Sequence, residues 1–189
     1  MAGFVDWHWF SSSFSIFDSG VSYSGDNTKK RKCGRTGLRR PGPWQRGDKN
    51  TTGFRLPTEA EWSWVSRKLG RNTEQRYPWK GAYPPTVKSG NYADASIADT
   101  LADTVSNYDD GFRGTAPVAS FPAAPKGFYD LGGNVAEWMH GYYAVYPAEA
   151  NKRVIDPSGP VTGDHHVVRG SSWRHGSITE LRLSYRDYS

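Results

Sequence analysis

Residues 129–138 read YDLGGNVAEW, and the fold turns on how this stretch is read. Two glycines, an asparagine and a glutamate stand between Tyr129-Asp130 and Trp138. The run is too polar and too rich in glycine to start an ordinary helix. It is too aromatic at its ends for a plain linker. Gly132 and Gly133 let the main chain turn sharply and present its carbonyls. Asp130 and Glu137 are hard oxygen donors. Carboxylates mixed with main-chain oxygens form the donor set of a calcium loop, though the spacing is not that of an EF-hand. Spacing by itself favours the plainer alternative, a glycine turn with a buried, hydrogen-bonded Glu137. A second acidic stretch, NYDDGFRG at 107–114, raises the same two alternatives, with Asp109 and Asp110 ahead of a glycine.

The surrounding chain has 189 residues, which suggests one domain or one domain with an appendage. Hydrophobic residues make up 36%, so the core is modest. Aromatics reach 14%, and 21 glycines and 12 prolines favour short elements joined by long ordered loops. No apolar run approaches the roughly 20 residues that span a bilayer. The opening MAGFVDWHWFSSSFSIF carries Asp6 and no basic leader, so it does not read as a signal peptide. A single cysteine, Cys33, excludes an internal disulfide framework.

The net charge of +5 is local in origin. Residues 29–47, KKRKCGRTGLRRPGPWQRG, hold eight basic side chains and no acidic one, whereas 53–189 hold fifteen of each sign. A uniformly basic nucleic-acid surface is therefore not expected. Residues 1–52 remain unassigned, and 18–52, including Trp44, are expected to be extended or disordered.

Order is expected from residue 53. Thr58 followed by Glu61 reads as a capping box. Trp62, Val65 and Leu69 share one helical face and Gly70 supplies a stop, which predicts a helix over 59–69. Residues 76–85, RYPWKGAYPP, read as an aromatic-proline loop. Strands are expected at 115–121, 165–173 and 181–188, and a short strand or turn at 136–143.

GFRLPTEAEW, YPW, DGFRGTAPVASFP, GFYDLGGNVAEW, DPSGP and VVRGSSW follow one another in this order over 53–173. Together they strongly resemble the sulfatase-modifying-factor family, whose founding member is the formylglycine-generating enzyme. The resemblance covers 53–189. It implies an α+β, C-type-lectin-like, loop-rich fold. Family chains carry a further helix before the R-L-P-T-E segment and a closing strand beyond the R-x-Y segment, so the expectation is a domain incomplete at both ends.

The resemblance also implies two structural calcium sites. The first would use Asn91, Tyr92, Asp110 and Phe112. The second would use Asp130, Gly133, Val135 and Glu137. Tyr92, Phe112, Gly133 and Val135 would offer main-chain carbonyls. The family's oxidation of cysteine runs at a copper site built from two cysteines, and in the matching stretch here stand His175 and Glu180. Copper is therefore not expected, because Cu(I) needs soft thiolates. A histidine metal site is disfavoured too, since His165 and His166 would point to opposite faces of a strand. A cleft is expected instead, lined by Trp138, Arg169, Ser172, Trp173, Arg174 and His175, with Glu180 paired to an arginine. It would receive a peptide or a small polar ligand. Three functions compete: a binding module without oxidase activity, a family enzyme of unassigned chemistry, and a nucleic-acid or membrane adaptor acting through 29–47.

Overall fold

The computed structural model describes residues 55–146 and 154–189. The basic stretch, Trp44 and the expected disorder of 18–52 lie outside the described residues.

One helix, α1, spans Glu59–Arg67. The Thr58 side chain accepts from the Glu61 N–H, and the Glu61 carboxylate accepts from the Thr58 N–H. Both ends of the capping box are thus formed. Glu59 and Glu61 stand in the first turn and Arg67 in the last, each suited to the helix dipole. Arg55 reinforces the start with two hydrogen bonds to Glu61. The helix ends two residues earlier than its pattern suggests. The N–H groups of Lys68 and Leu69 both donate to the Trp64 carbonyl, and Gly70 follows at φ +67°. The buried side chains are Trp62, Val65 and Ser66, while Leu69 is only half-buried.

Three strands form an antiparallel sheet in the order β1-β2-β3: β1 Glu137–Tyr142, β2 His166–Arg169 and β3 Asp187–Tyr188. Strand β2 is central, and Val167, Val168 and Arg169 are all buried on it. Helix α1 packs on β1 and β2. Trp62, Met139, Val167 and Leu183 fill the space between them. The β1–β2 register slips between Trp138 and Tyr142. Gly141 lies within that slip, where an added Cβ would stand 3.0 Å from the Ser158 carbonyl oxygen. The loop at 158–159 therefore packs closely on a strand position where a side chain would have to push it aside.

Two expected strands are different. Residues 115–121 form a turn around Ala119, which sits at φ +61°. In 181–188 only the last two residues join the sheet. Leu181 and Leu183 are both buried, so the alternation reports burial within tight turns and not a ladder.

A second core lies among the loops. Tyr77, Trp79, Tyr92, Val105, Tyr108 and Leu181 pack together. Tyr77 stacks on Trp79 at 4.9 Å and Trp79 meets Tyr92 edge-on at 5.4 Å, geometries that favour aromatic pairs.

Candidate functional site

The loop core carries an unusual density of buried polar groups. Asn91, Asp94, Asp110, Asn134 and Ser171 are all buried. Asp110 accepts from the N–H groups of Tyr92 (2.9 Å) and Phe112 (2.8 Å). Its own N–H donates to Asp94, whose other oxygen accepts from the N–H and hydroxyl of Ser96. Burial, with Asp94 and Asp109 nearby, pushes the Asp110 carboxyl up to about 6 against the two N–H bonds that oppose the shift. The Asn91 amide donates to the Gly114 carbonyl at 2.7 Å, while its side-chain oxygen is buried without a partner. The structure thus brings together Asn91, Tyr92, Asp110 and Phe112, residues far apart in sequence.

The second group follows the glycine loop. Asp130 (φ +53°), Gly133 (φ +87°) and Asn134 (φ +60°) all take left-handed backbone conformations. Gly133 cannot be replaced without disruption, because an added Cβ would lie 2.6 Å from the Asn91 carbonyl oxygen. Glu137 opens β1 and accepts from the Trp62 indole N–H at 2.5 Å. Part of the Glu137 residue is exposed, but its carboxyl head is enclosed. Burial of that head, helped by the charge of Asp130, pushes it up to about 7. Asp130 is raised by burial as well, and accepts from the Ala119 N–H. Glu137 is therefore half-buried, with its carboxylate hydrogen-bonded by the Trp62 indole.

Asp94, Asn134 and Ser171 are absent from the sequence-based site, yet they tie it together. Asn134 bonds both the N–H and the carbonyl of Ala116, and its oxygen also accepts from Asn91. Ser171 receives the Gly133 N–H. Asp94 had a local signal, the D-A-S cap of a short turn at Ala95–Ile97. The ties of Asn134 and Ser171 had none.

The expected cleft residues separate. Arg169 is 2% exposed. Its guanidinium donates to the carbonyls of Leu183, Ser184 and Tyr185 and to the Ser63 hydroxyl, and lies over the Trp62 ring. It is an interior clamp and not a cleft contact. Trp138 is half-buried on β1 near His166. Ser172, Trp173, Arg174 and His175 remain together in one turn after β2. The Ser172 N–H donates to His175 Nδ1 at 2.9 Å, and the Ser172 hydroxyl lies 3.1 Å from the same atom. Arg174 lies over the Trp173 ring at 5.5 Å. Glu180 bonds the Ser177 hydroxyl and N–H, so its partner is a serine and not the expected arginine. Among the described residues there is no cluster of three or more histidine, cysteine, aspartate or glutamate side chains placed to hold a metal. No helix among them is long and apolar enough to cross a membrane.

The family model for the sulfatase-modifying factor enzyme 1-like domain matches residues 8–188. The chain belongs to this family. The match takes in the basic stretch at 29–47 as well as the described residues. This sulfatase-modifying factor domain is 36% identical to the formylglycine-generating enzyme of Bos taurus over 121 residues, 64% of the chain and 30% of that protein. It is 34% identical over 125 residues to a Mus musculus protein named inactive C-alpha-formylglycine-generating enzyme 2, covering 64% of the chain and 32% of that protein. Its fold is shared with Treponema denticola variable protein 1, at a TM-score of 0.58 and 28% identity, over 75% of this chain and 44% of the other. The chain spans about a third of the length of these curated relatives.

Proposed function

We propose that this sulfatase-modifying factor domain is a binding module without copper-dependent cysteine oxidation. The observation that carries the reading is the state of His175 and Glu180, which stand in the stretch where the family's copper-binding cysteines are found. Each is bonded into its own turn, His175 Nδ1 by Ser172 and Glu180 by Ser177. A nitrogen and a carboxylate already engaged do not replace two soft thiolates. The relative named as inactive, at 34% identity, supports the same reading. The ligand would be a peptide or small polar molecule meeting Trp173, Arg174 and His175. On this reading the loop-rich α+β architecture is C-type-lectin-like.

Calcium, in a structural role, fits the residues at both loops. At the first, the buried Asn91 oxygen has no partner and Asp110 is a carboxylate raised by burial. A cation there would satisfy the one and ionise the other. At the second, Asp130 and Glu137 are two half-buried acids beside a glycine turn, each raised by burial. Asp110, Asp130 and Glu137 would give carboxylate oxygens, Asn91 its amide oxygen, and Tyr92, Phe112, Gly133 and Val135 carbonyls. Bound calcium would hold loops that have few ladder hydrogen bonds.

The test is incubation of the full chain with copper and a cysteine-containing sulfatase peptide. No aldehyde above the free-copper rate is expected. Aldehyde formation with loss of the thiol would replace the binding reading with an enzymatic one.

A further inference from the structure

A recess lies apart from the 172–180 turn. It has a volume of about 510 Å³ and is walled by the loops at 71–80, 87–90, 121–125 and 128–132. This lies within the roughly 300–1,000 Å³ range of small-molecule sites. None of its lining residues belongs to the turn carrying Trp173, Arg174 and His175, so the inference stands apart from that proposed ligand site and shares only Asp130 with the second calcium loop.

Its walls are aromatic and proline-rich. Phe128 is half-buried, while Trp79 and Phe121 reach the wall with only 6% and 8% of their surface exposed, and Pro78, Pro122 and Pro125 fill between them. The walls are also set in place. An added Cβ at Gly132 would stand 2.3 Å from Pro78, and one at Gly70 would stand 2.7 Å from Pro125. Such close approach leaves little to order on binding.

Arg71 and Lys80 supply the positive charge of the lining. Arg71 is anchored through Nη1 to the carbonyls of Val65 and Ser66 at the end of α1. Among the described residues neither its second terminal nitrogen nor Lys80 makes a hydrogen bond or ion pair. Asp130 is the one carboxylate in the lining, and it is already engaged by the Ala119 N–H. The recess therefore offers two cationic groups and aromatic faces, against one occupied acid.

We propose that this recess binds a small aromatic carboxylate. Its ring would lie against Phe128, the prolines and the exposed edges of Trp79 and Phe121, and its carboxylate would meet Arg71 and Lys80. The charge-assisted bond to an anchored guanidinium supplies direction, and the rings supply area.

The test uses indole-3-acetate and its uncharged analogue indole-3-acetamide as probes, titrated calorimetrically into the full chain. The acetate is expected to bind with one site and a Kd below about 1 mM, and the amide roughly tenfold more weakly. Val87 lines the recess and is 67% exposed, so Val87→Asp should place a negative charge at the wall without disturbing the core. It is expected to weaken the acetate roughly tenfold while leaving the melting temperature unchanged. Lys80→Glu, at another exposed position, gives the same reading should the first variant fail to fold. Absence of saturable acetate binding would overturn the proposal. So would equal binding of the amide, or undiminished affinity in a folded Val87→Asp or Lys80→Glu protein.

Discussion

The helix-and-sheet layer and the loop layer of this domain are built to different rules. In the first, Trp62, Met139, Val167 and Leu183 pack between α1 and the sheet, and most main-chain groups find partners in regular elements. In the second, the aromatic cluster around Trp79 and Tyr92 is wrapped in irregular backbone. There, buried side chains do what a ladder would do: Asp94, Asp110 and Asn134 hold main-chain N–H groups directly. A layer of the first kind depends mainly on apolar area. A layer of the second kind depends on the ionisation and satisfaction of a few polar atoms.

The largest expected effect comes from the one residue that uses both rules. Arg169 lies on the central strand, but its guanidinium takes three carbonyls of 183–185 that no strand pairs. Glu59 lies 3.6 Å from it and is shared with Arg186. Arg169→Leu would leave those carbonyls and part of the Glu59 charge unmatched. A loss of about 3–5 kcal/mol is expected, as for breaking other buried ionic groups. Chemical denaturation measures it. A loss below about 1 kcal/mol would mean that packing alone holds the 183–185 segment.

Next in size is the response of the loop layer to pH. Glu137 stands near 7 and Asp110 near 6, both raised by burial above ordinary carboxylates. A raised carboxyl binds its proton more tightly in the folded state. In metal-free protein its contribution is therefore present at low pH and lost as pH rises from about 4.5 through 7. Each group accounts for roughly 3 kcal/mol by its shift. With chelator, the melting temperature should fall between pH 5 and pH 8. Calcium should restore it, and more at pH 8 than at pH 5. Glu137→Gln should remove much of the pH dependence and of the calcium response. A chelated protein with a flat melt across this range would count against buried ionisable loops altogether.

A smaller effect probes the regular layer. Thr58→Ala removes the acceptor for the Glu61 N–H and should cost about 1 kcal/mol, read from the denaturation midpoint. Unlike the loop carboxylates, it should cost the same at pH 6 and pH 8, because Glu61 is held down near 2 by Arg55 and stays ionised throughout.

The contrast also explains what the sequence allowed one to read. Helix α1 was legible because its cap, its face and its stop lie within about one dozen residues. Strand β2 was legible from the alternation at 165–173, of which only His166–Arg169 pairs, whereas 136–143 reads as either a strand or a turn and forms β1. Residues 181–188 misled, since Leu181 and Leu183 alternate for reasons of burial while Arg169 occupies the nearby carbonyls. The carboxylates Asp110, Asp130 and Glu137 could be found from glycine-rich surroundings. Asn134 and Ser171 could not, because their partners lie 43 and 38 residues away in the chain. Arg169 was misplaced for a related reason. The family resemblance placed it in a cleft, whereas Ser63, one of the groups that bury it, is 106 residues distant.

The smallest effect separates buried from exposed charge within the loop layer itself. Asp99 and Arg113 form a two-oxygen ion pair, with both distances 2.7 Å. Its distances are shorter than the 2.9 and 2.8 Å bonds that Asp110 accepts. Yet the Asp99 and Arg113 side chains are 66% and 58% exposed, so water screens the attraction and competes for each group. The pairing holds the Asp99 carboxyl below its ordinary range, but at full exposure that shift carries little stability. Asp99→Asn should therefore leave the melting temperature unchanged within error at moderate salt, and any change should vanish as salt is raised. Asp110→Asn, eleven residues on, should alter both the melt and its pH dependence, because that group is 3% exposed and carries two main-chain N–H bonds. If Asp99→Asn proved the more damaging of the two, surface pairing and not buried carboxylates would be what orders these loops.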